Sequence, residues 1–196
     1  MEGSVREKTS SLIIAFLGPP LHGKTTLGRI VAGELGVKFV DHETHCRVPF
    51  FGPGHPDPDA APEVRAAFNV MQAASYDILF AVAGAHLDLA RPLVVAATFV
   101  SGRSQGNLAK LAAARPSAQL RCFWCFSDAD DDEAVEKRLA GRTFGQDYFG
   151  GVNDLGSYRA QKARWLAPPS LPHRVLDTFG APVDACVEEA LAHIRR

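Results

Sequence analysis

Short apolar runs alternate with longer amphipathic stretches along most of the chain. The runs are bounded by polar residues, glycine or proline, which is typical of buried strands; they cover residues 12–17, 37–40, 93–98, 119–126 and 175–177. The stretches between them repeat apolar residues at helical spacing and predict helices over 25–35, 63–90, 104–115, 128–142 and 182–194. This alternation predicts one α/β domain over residues 1–196, a three-layer sandwich around a five-stranded, mostly parallel sheet.

Two segments break the alternation. Residues 49–62 contain five prolines and two further glycines, which favours a loop over regular structure. Gly145, Gly150 and Gly151 indicate a flexible connection. We assign an acceptor-side insertion to about residues 46–76 and a small lid to about residues 142–152.

Composition narrows the functional classes. A formal net charge of −1 disfavours a nucleic-acid partner held by a large basic field. No apolar run approaches the roughly 20 residues of a bilayer span, so we expect no membrane partner. Four cysteines in 196 residues do not make a disulfide scaffold, which favours the cytoplasm. Cys122 and Cys125 are interpreted as part of a buried strand rather than a zinc site, and the acids at 130–133 as an exposed helix start.

A glycine-rich loop follows the first predicted strand and precedes the first predicted helix. It fits the phosphate-binding pattern Gly-x-x-x-x-Gly-Lys-Thr, whose backbone N–H groups face phosphate oxygens at a helix N-terminus. We therefore predict that the loop binds ATP and Mg²⁺. Lys24 would reach the β- and γ-phosphates, Thr25 would ligate Mg²⁺ and Thr26 would contact the α-phosphate. The predicted nucleotide-binding residues of the loop are Gly18, Pro19, Pro20, Leu21, His22, Gly23, Lys24, Thr25 and Thr26.

From residue 12 to about 194 the chain resembles the small P-loop kinases grouped with zeta toxins, chloramphenicol phosphotransferase and polynucleotide kinases. The resemblance implies a nucleoside-kinase-like P-loop fold and transfer of the γ-phosphate to a hydroxyl. It places the general base at the end of the second strand, where Asp41 lies. A carboxylate there can accept the proton that the attacking hydroxyl loses. Glu43 stands two residues on and is the alternative base or a residue near Mg²⁺.

The same resemblance assigns roles to residues of the second half of the chain. Arg138 and Arg142 lie four residues apart, on one helix face, and would neutralise the transferring phosphate and pack near adenine. Thr178 follows the last strand, along the adenine edge. Arg103 falls where relatives contact the acceptor or a phosphate.

Ala96 departs from the family pattern, because relatives carry an aspartate at this place in the third strand. Mg²⁺ would then rest on Thr25, phosphates and water, with Asp41 or Glu43 as a further candidate. The departure argues against a GTPase or a motor ATPase.

The acceptor stays open at this level. A small molecule (a nucleoside, sugar or natural product) is favoured by the aromatic character of Phe50, Phe51 and Phe68 beside His55. The candidate substrate-binding residues are Glu43, Arg47, Phe68 and Arg103. The alternatives are a 5′-hydroxyl polynucleotide kinase, for which the basic residues near Asp41 are few, and a nucleotide-binding regulator without transfer activity. The sequence leaves the oligomeric state and the choice between ATP and GTP open.

Overall fold

The computed structural model describes residues 11–52, 56, 60–99, 101–141, 152, 154–163 and 168–196. Five strands form one sheet in the order β2-β3-β1-β4-β5, and each pair of neighbours is parallel. The strands are β1 (Leu12–Leu17), β2 (Lys38–Asp41), β3 (Leu93–Ala96), β4 (Gln119–Phe126) and β5 (His173–Asp177). The predicted α/β sandwich is confirmed, and the described sheet is entirely rather than mostly parallel.

Helices connect the strands and cover both faces of the sheet. They are α1 (Lys24–Leu35), α2 (Val48–Phe51), α3 (Pro62–Asp88), α4 (Gly102–Ala113), α5 (Asp132–Ala140), α6 (Leu155–Lys162) and α7 (Val183–Ile194). A π-helix (His42–Arg47) joins β2 to α2. The helices that the sequence predicts begin and end within a few residues of those observed.

Two hydrophobic cores lie on opposite faces of the sheet because side chains alternate along each strand. In β1, Ile13 packs in one core and Ile14 in the other. The first core receives α3 and α4, and the second receives α1 and α7. Cys122 and Cys125 are buried, free residues of β4, as the sequence predicts, and burial raises the pKa of each thiol to about 12.

A third, smaller core joins the glycine-rich loop to α5 and α6. Its fully buried residues are Val135, Val152 and Tyr158, and Leu21 of the loop packs against them. The loop is thus held by packing from outside the sheet as well as by its strand and helix.

Three elements differ from the sequence-based prediction. The π-helix and α6 lie where no helix is predicted, and residues 48–51 are helical although a loop is predicted from residue 49. Asp154 and Ser157 stabilise the start of α6. The side chain of each residue forms a hydrogen bond with the backbone N–H of the other. Apart from Val152, the predicted lid at 142–152 lies outside the described residues.

Helix α3 has the length and composition that a membrane span would need, and within the described residues it is the one helix that does. Its most apolar 18-residue stretch has a mean hydropathy of 1.2. Core helices of other proteins pass the same test, and Leu79, Ala83 and Leu87 of α3 pack on the sheet. The feature is weak evidence, and the absence of a membrane partner stays a prediction.

Candidate active site

The glycine-rich loop adopts a backbone that only certain residues tolerate. Gly18 has φ 145°, and a Cβ there would lie 2.2 Å from the Cys125 carbonyl oxygen. Leu21 and Gly23 have φ 68° and 69°, in the left-handed region. Gly23 is the N-cap of α1 and has no side chain to cover the first N–H groups of the helix. An anion can therefore approach those groups directly.

A cavity of about 300 Å³ opens over this loop. Its volume falls at the small end of the range for ligand sites. Seven of the predicted nucleotide-binding residues line the cavity. They come from three parts of the chain: the glycine-rich loop with the start of α1, helix α5, and the segment after β5. The lining comprises Leu21, Gly23, Lys24, Thr25, Thr26, Leu27, Arg138, Gly141, Thr178, Ala181, Val183 and Cys186.

Lys24 curls back over the loop, and its Nζ donates to the Pro19 carbonyl oxygen at 2.6 Å. Its charge therefore stands at the cavity wall, where phosphate oxygens would lie. His22, in contrast, is fully buried behind the loop. It is a support of the loop rather than part of the cavity surface.

Arg138 ties the loop to the segment after β5. One guanidinium nitrogen donates to the Leu21 carbonyl oxygen at 2.8 Å, and another donates to the Thr178 carbonyl oxygen. The guanidinium carbon lies 3.6 Å from the centre of the Phe179 ring. Burial lowers the pKa of Arg138, which still carries its charge at neutral pH. Its predicted partner Arg142 lies outside the described residues.

Asp41 meets the loop at the carboxyl end of β2. Its Oδ2 accepts a hydrogen bond from the Thr25 hydroxyl at 2.8 Å. Its Oδ1 accepts from the Thr44 backbone N–H at 2.9 Å and from the Thr44 hydroxyl at 3.1 Å. The backbone N–H of Asp41 donates to Nδ1 of His45 at 2.8 Å. The carboxylate is buried and held in one orientation toward Thr25.

The sheet register places the Asp41 carboxylate beside Ala96. Asp41 pairs with Ala96 of the neighbouring strand, so both side chains lie on the face that α1 covers. Ala96 is fully buried and offers no ligand. The oxygens of Thr25 and Asp41 form the donor set that suits Mg²⁺ in its phosphate-bound form, and these two residues would hold the ion.

Glu43 and Arg47 form a pair inside the π-helix. Arg47 Nε donates to Glu43 Oε1 at 2.7 Å, and an amino nitrogen of Arg47 donates to the Gly52 carbonyl oxygen at 3.2 Å. Arg47 is fully buried, whereas the side chain of Glu43 is 25% exposed. The expectation that Arg47 contacts a substrate therefore needs correction: in this structure its guanidinium holds Glu43 and the backbone.

A second cavity, of about 460 Å³, lies between α3 and α4. Phe68 and Arg103, both predicted as substrate contacts, line it. Amide side chains and aromatic rings dominate the rest of the wall. The lining comprises Phe68, Asn69, Gln72, Ala73, Tyr76, Asp77, Phe80, Thr98, Ser101, Arg103, Ser104, Asn107 and Gln161.

Tyr76 connects this cavity to Asp41. Its ring stacks on His42, the residue after Asp41, with 3.9 Å between ring centres. Its hydroxyl lies 3.1 Å from Thr98 Oγ1 and accepts from the Phe99 backbone N–H at 3.1 Å. Burial lowers the pKa of His42 to about 4, so this ring is neutral at pH 7. The wall of the second cavity is thus in contact with His42, the residue that follows Asp41 in the sequence.

Most residues of this wall were not predicted from the sequence. Residues 68, 72, 76 and 80 share one face of α3, and their spacing of four is visible in the sequence. The polar and aromatic character of that face, on a helix otherwise rich in alanine, was the available signal. Phe50 is exposed, and His55 lies outside the described residues.

No protein-family model matches the sequence, and no curated protein matches it significantly. Solved structures do resemble it. A protein from Chloroflexus aurantiacus, provisionally named a kinase, is 20% identical over 95% of this chain and 97% of its own, with a TM-score of 0.68. A sugar kinase from Janibacter is 18% identical over 95% of both chains, with a TM-score of 0.60.

A gluconokinase from Sinorhizobium meliloti is 17% identical over 97% of this chain and 94% of its own, with a TM-score of 0.55. At these identities the likeness establishes a shared fold over nearly the whole chain. The α/β fold with a five-stranded parallel sheet is therefore common to this chain and these P-loop kinase structures.

Proposed function

We propose that the protein transfers the γ-phosphate of ATP to a hydroxyl of an uncharged small molecule. The observation that carries the proposal is the 2.8 Å contact between Thr25 of the glycine-rich loop and the buried carboxylate of Asp41. Thr25 lines the first cavity, and the residue after Asp41, His42, stacks on Tyr76 in the wall of the second cavity of about 460 Å³. The names of the structural neighbours, among them a sugar kinase and a gluconokinase, are consistent with it.

The smaller cavity has the chemistry to hold ATP. The N–H groups at the start of α1, together with Lys24 and Arg138, offer positive charge to the phosphates. The cavity also has an apolar wall that suits the adenine ring of ATP, formed by Ala181, Val183 and Cys186. Mg²⁺, held by Thr25 and Asp41, would neutralise phosphate charge.

The larger cavity has the chemistry of an uncharged, hydroxylated acceptor. Asn69, Gln72 and Asn107 each offer a donor and an acceptor to hydroxyl groups. Phe68 and Phe80 offer flat apolar faces. Among the residues that the structure describes, its lining has one acidic and one basic side chain, Asp77 and Arg103. This is little positive charge for a polyanionic acceptor such as a nucleic acid.

In the proposed reaction the acceptor oxygen attacks the γ-phosphorus. The bond from that phosphorus to the β–γ bridging oxygen breaks, and ADP leaves. The proton of the acceptor hydroxyl passes to the carboxylate of Asp41, as in general-base catalysis. Lys24 and Arg138 would stabilise the charge on the transferring group. The alternative base is Glu43, whose carboxylate Arg47 restrains.

One observation favours a second function, that of a nucleotide-dependent regulator. Both carboxylate oxygens of Asp41 already accept hydrogen bonds, from Thr25 and from Thr44. A carboxylate engaged in this way can hold Thr25 and Mg²⁺ without acting as a base. A regulator would bind ATP and hydrolyse it slowly, with no stimulation by an acceptor.

The test is ADP formation from ATP and Mg²⁺ in the presence of a panel of hydroxyl compounds. The panel pairs uncharged sugars, nucleosides and aromatic alcohols with their phosphorylated or carboxylated counterparts. We expect an uncharged member to raise the rate of ADP formation and its anionic counterpart to have no effect. Lys24→Met is the control that should abolish the activity. A rate that no acceptor raises would support the regulator, and stimulation by a 5′-hydroxyl oligonucleotide would support the polynucleotide kinase.

A further inference from the structure

His22 occupies the position before the last glycine of the loop, and its ring points away from the nucleotide cavity. The side chain is fully buried. It stacks on Phe126 with 5.5 Å between ring centres, and Phe179 meets it edge-on at 5.1 Å. The imidazole is therefore held within the protein and can act on a nucleotide only through the loop.

Hydrogen bonds determine which nitrogen of this ring carries the proton. The Tyr158 hydroxyl lies 2.9 Å from His22 Nε2 and donates its own proton to Asp130 Oδ2 at 2.6 Å. The tyrosine oxygen must then accept from Nε2–H. Nδ1 is left as an acceptor, 3.4 Å from the Thr178 hydroxyl. Burial and the charge of Lys24 lower the pKa of His22 to about 3, so the ring is neutral.

The series of hydrogen bonds ends at the carboxylate of Asp130, which has two cationic partners. The sequence predicts an exposed helix start at Asp130, but the carboxylate of this residue is buried. It pairs with Lys162 of α6 and accepts from Arg159 of the same helix at 2.9 Å. Lys162 also donates to the Ser127 carbonyl oxygen at 2.8 Å, which ties α6 to the end of β4. Asp130, at the end of this series of hydrogen bonds, is thereby anchored to α6, which is itself tied to the sheet.

We propose that His22 is a positioning residue: the chain His22–Tyr158–Asp130 holds the glycine-rich loop in the conformation that binds nucleotide. His22 lies between Leu21 and Gly23, the two residues of the loop whose φ angles are near 70°. Leu21 is held in the third core and by Arg138. Anchoring the ring between them keeps the following N–H groups pointed at the phosphates. The inference rests on the proposed binding of ATP.

Tyr158→Phe tests the hydrogen-bonded series His22–Tyr158–Asp130, because it removes the hydroxyl oxygen and keeps the ring in the third core. The Nε2–H of His22 then loses its acceptor in a buried site. We expect the affinity for ADP, measured by calorimetry, to fall about tenfold, as for one buried donor left without a partner. Ser11→Ala is the matched control, because it removes a buried hydroxyl that bonds the Leu87 carbonyl oxygen at 3.2 Å, remote from the loop. Its ADP affinity should equal that of the wild type.

A purely structural role would lower the melting temperature of Tyr158→Phe without changing ADP affinity, and that result would overturn the proposal. Wild-type protein that binds no ADP would instead refute the proposed function. A second measurement does not depend on the variant folding. Nitrogen NMR of the wild-type ring should show the Nε2–H form, uncharged at pH 5. The Nδ1–H form, or protonation near pH 6.5, would contradict the chain.

His22→Gln and His22→Leu provide a rescue test. Glutamine can place an amide N–H near the tyrosine oxygen, whereas leucine fills the space without a donor. We expect the glutamine variant to retain more ADP affinity than the leucine variant. Equal losses in the two would show that the hydrogen bond to Tyr158 does not matter.

Discussion

Replacing Asp41 by asparagine removes a charge while leaving the local geometry almost unchanged. The amide oxygen can still accept from the Thr44 N–H, which Oδ1 of the aspartate accepts at 2.9 Å. The amide nitrogen can donate to the Thr25 hydroxyl, whose proton is free to rotate. Asparagine is also as good an N-cap as aspartate, and Asp41 is the N-cap of the π-helix.

The expected effects on stability and on turnover are therefore very different. We expect the free energy of unfolding to change by less than about 1 kcal/mol, because each hydrogen bond keeps a partner. The loss of a general base should lower kcat by about 10²–10⁴, which corresponds to roughly 3–5 kcal/mol of transition-state stabilisation.

The assay is steady-state ADP formation with the best acceptor, together with calorimetric ATP affinity and urea unfolding. Asp131→Asn is the matched control, because Asp131 caps α5 through the Ala134 N–H at 2.7 Å and lines neither cavity. Its turnover should equal that of the wild type. If Asp41→Asn keeps its turnover and Glu43→Gln loses it, the assignment of the base is refuted.

Three further predictions concern the surroundings of the loop. Ala96→Asp buries a second carboxylate beside Asp41 and should lower the free energy of unfolding by roughly 3–5 kcal/mol; higher Mg²⁺ affinity without loss of stability would contradict this. Gly18→Ala places a Cβ 2.2 Å from the Cys125 carbonyl oxygen and should lower the free energy of unfolding by roughly 2–4 kcal/mol. An unchanged midpoint of urea unfolding would show that the loop tolerates a side chain. The pKa of His22 is 6.5 unfolded and about 3 folded, so the unfolded chain binds the proton between these values. The contribution of His22 to the free energy of unfolding should be complete above pH 6.5 and fall by up to about 1.4 kcal/mol per pH unit below it. His22→Gln should flatten this pH dependence, and a slope equal to that of the wild type would refute the prediction.

The sequence predicts the sheet and the loop well because both depend on local signals. The apolar runs of β1 and β4 are short and clearly bounded, and the observed strands match them residue for residue. The glycine-rich pattern needs its glycines for steric reasons, as the contact between Gly18 and Cys125 shows. The pattern itself can be recognised from residues close in sequence, although the backbone that excludes a side chain at Gly18 belongs to β4.

Helix α6 illustrates what local signals cannot provide. It contains Gly156 and only a weak apolar pattern, and its stability depends on partners distant in sequence. Lys162 and Arg159 pair with Asp130, roughly 30 residues earlier. The residues Asp154 and Ser157 offered a capping signal, but that signal alone does not predict a helix.

The same reason explains the misjudged residues of the candidate site. Arg47 was expected to contact a substrate and Asp130 to lie at an exposed helix start, yet each is buried with a partner that compensates its charge. Which charged residues find such partners depends on the packing of π-helix, α5 and α6. The contact between Asp41 and Thr25, in contrast, follows from strand order, because β2 lies next to β3 and β3 next to β1.

The proposed function requires that phosphate moves from ATP to a hydroxyl acceptor rather than to water. The most direct measurement uses ATP labelled in the γ-phosphate, with the products separated and identified by mass spectrometry. We expect the label to appear as a phosphate ester of an uncharged acceptor, one per ADP formed, and this product to be lost in Asp41→Asn. Label found only as inorganic phosphate, whatever acceptor is present, would contradict it.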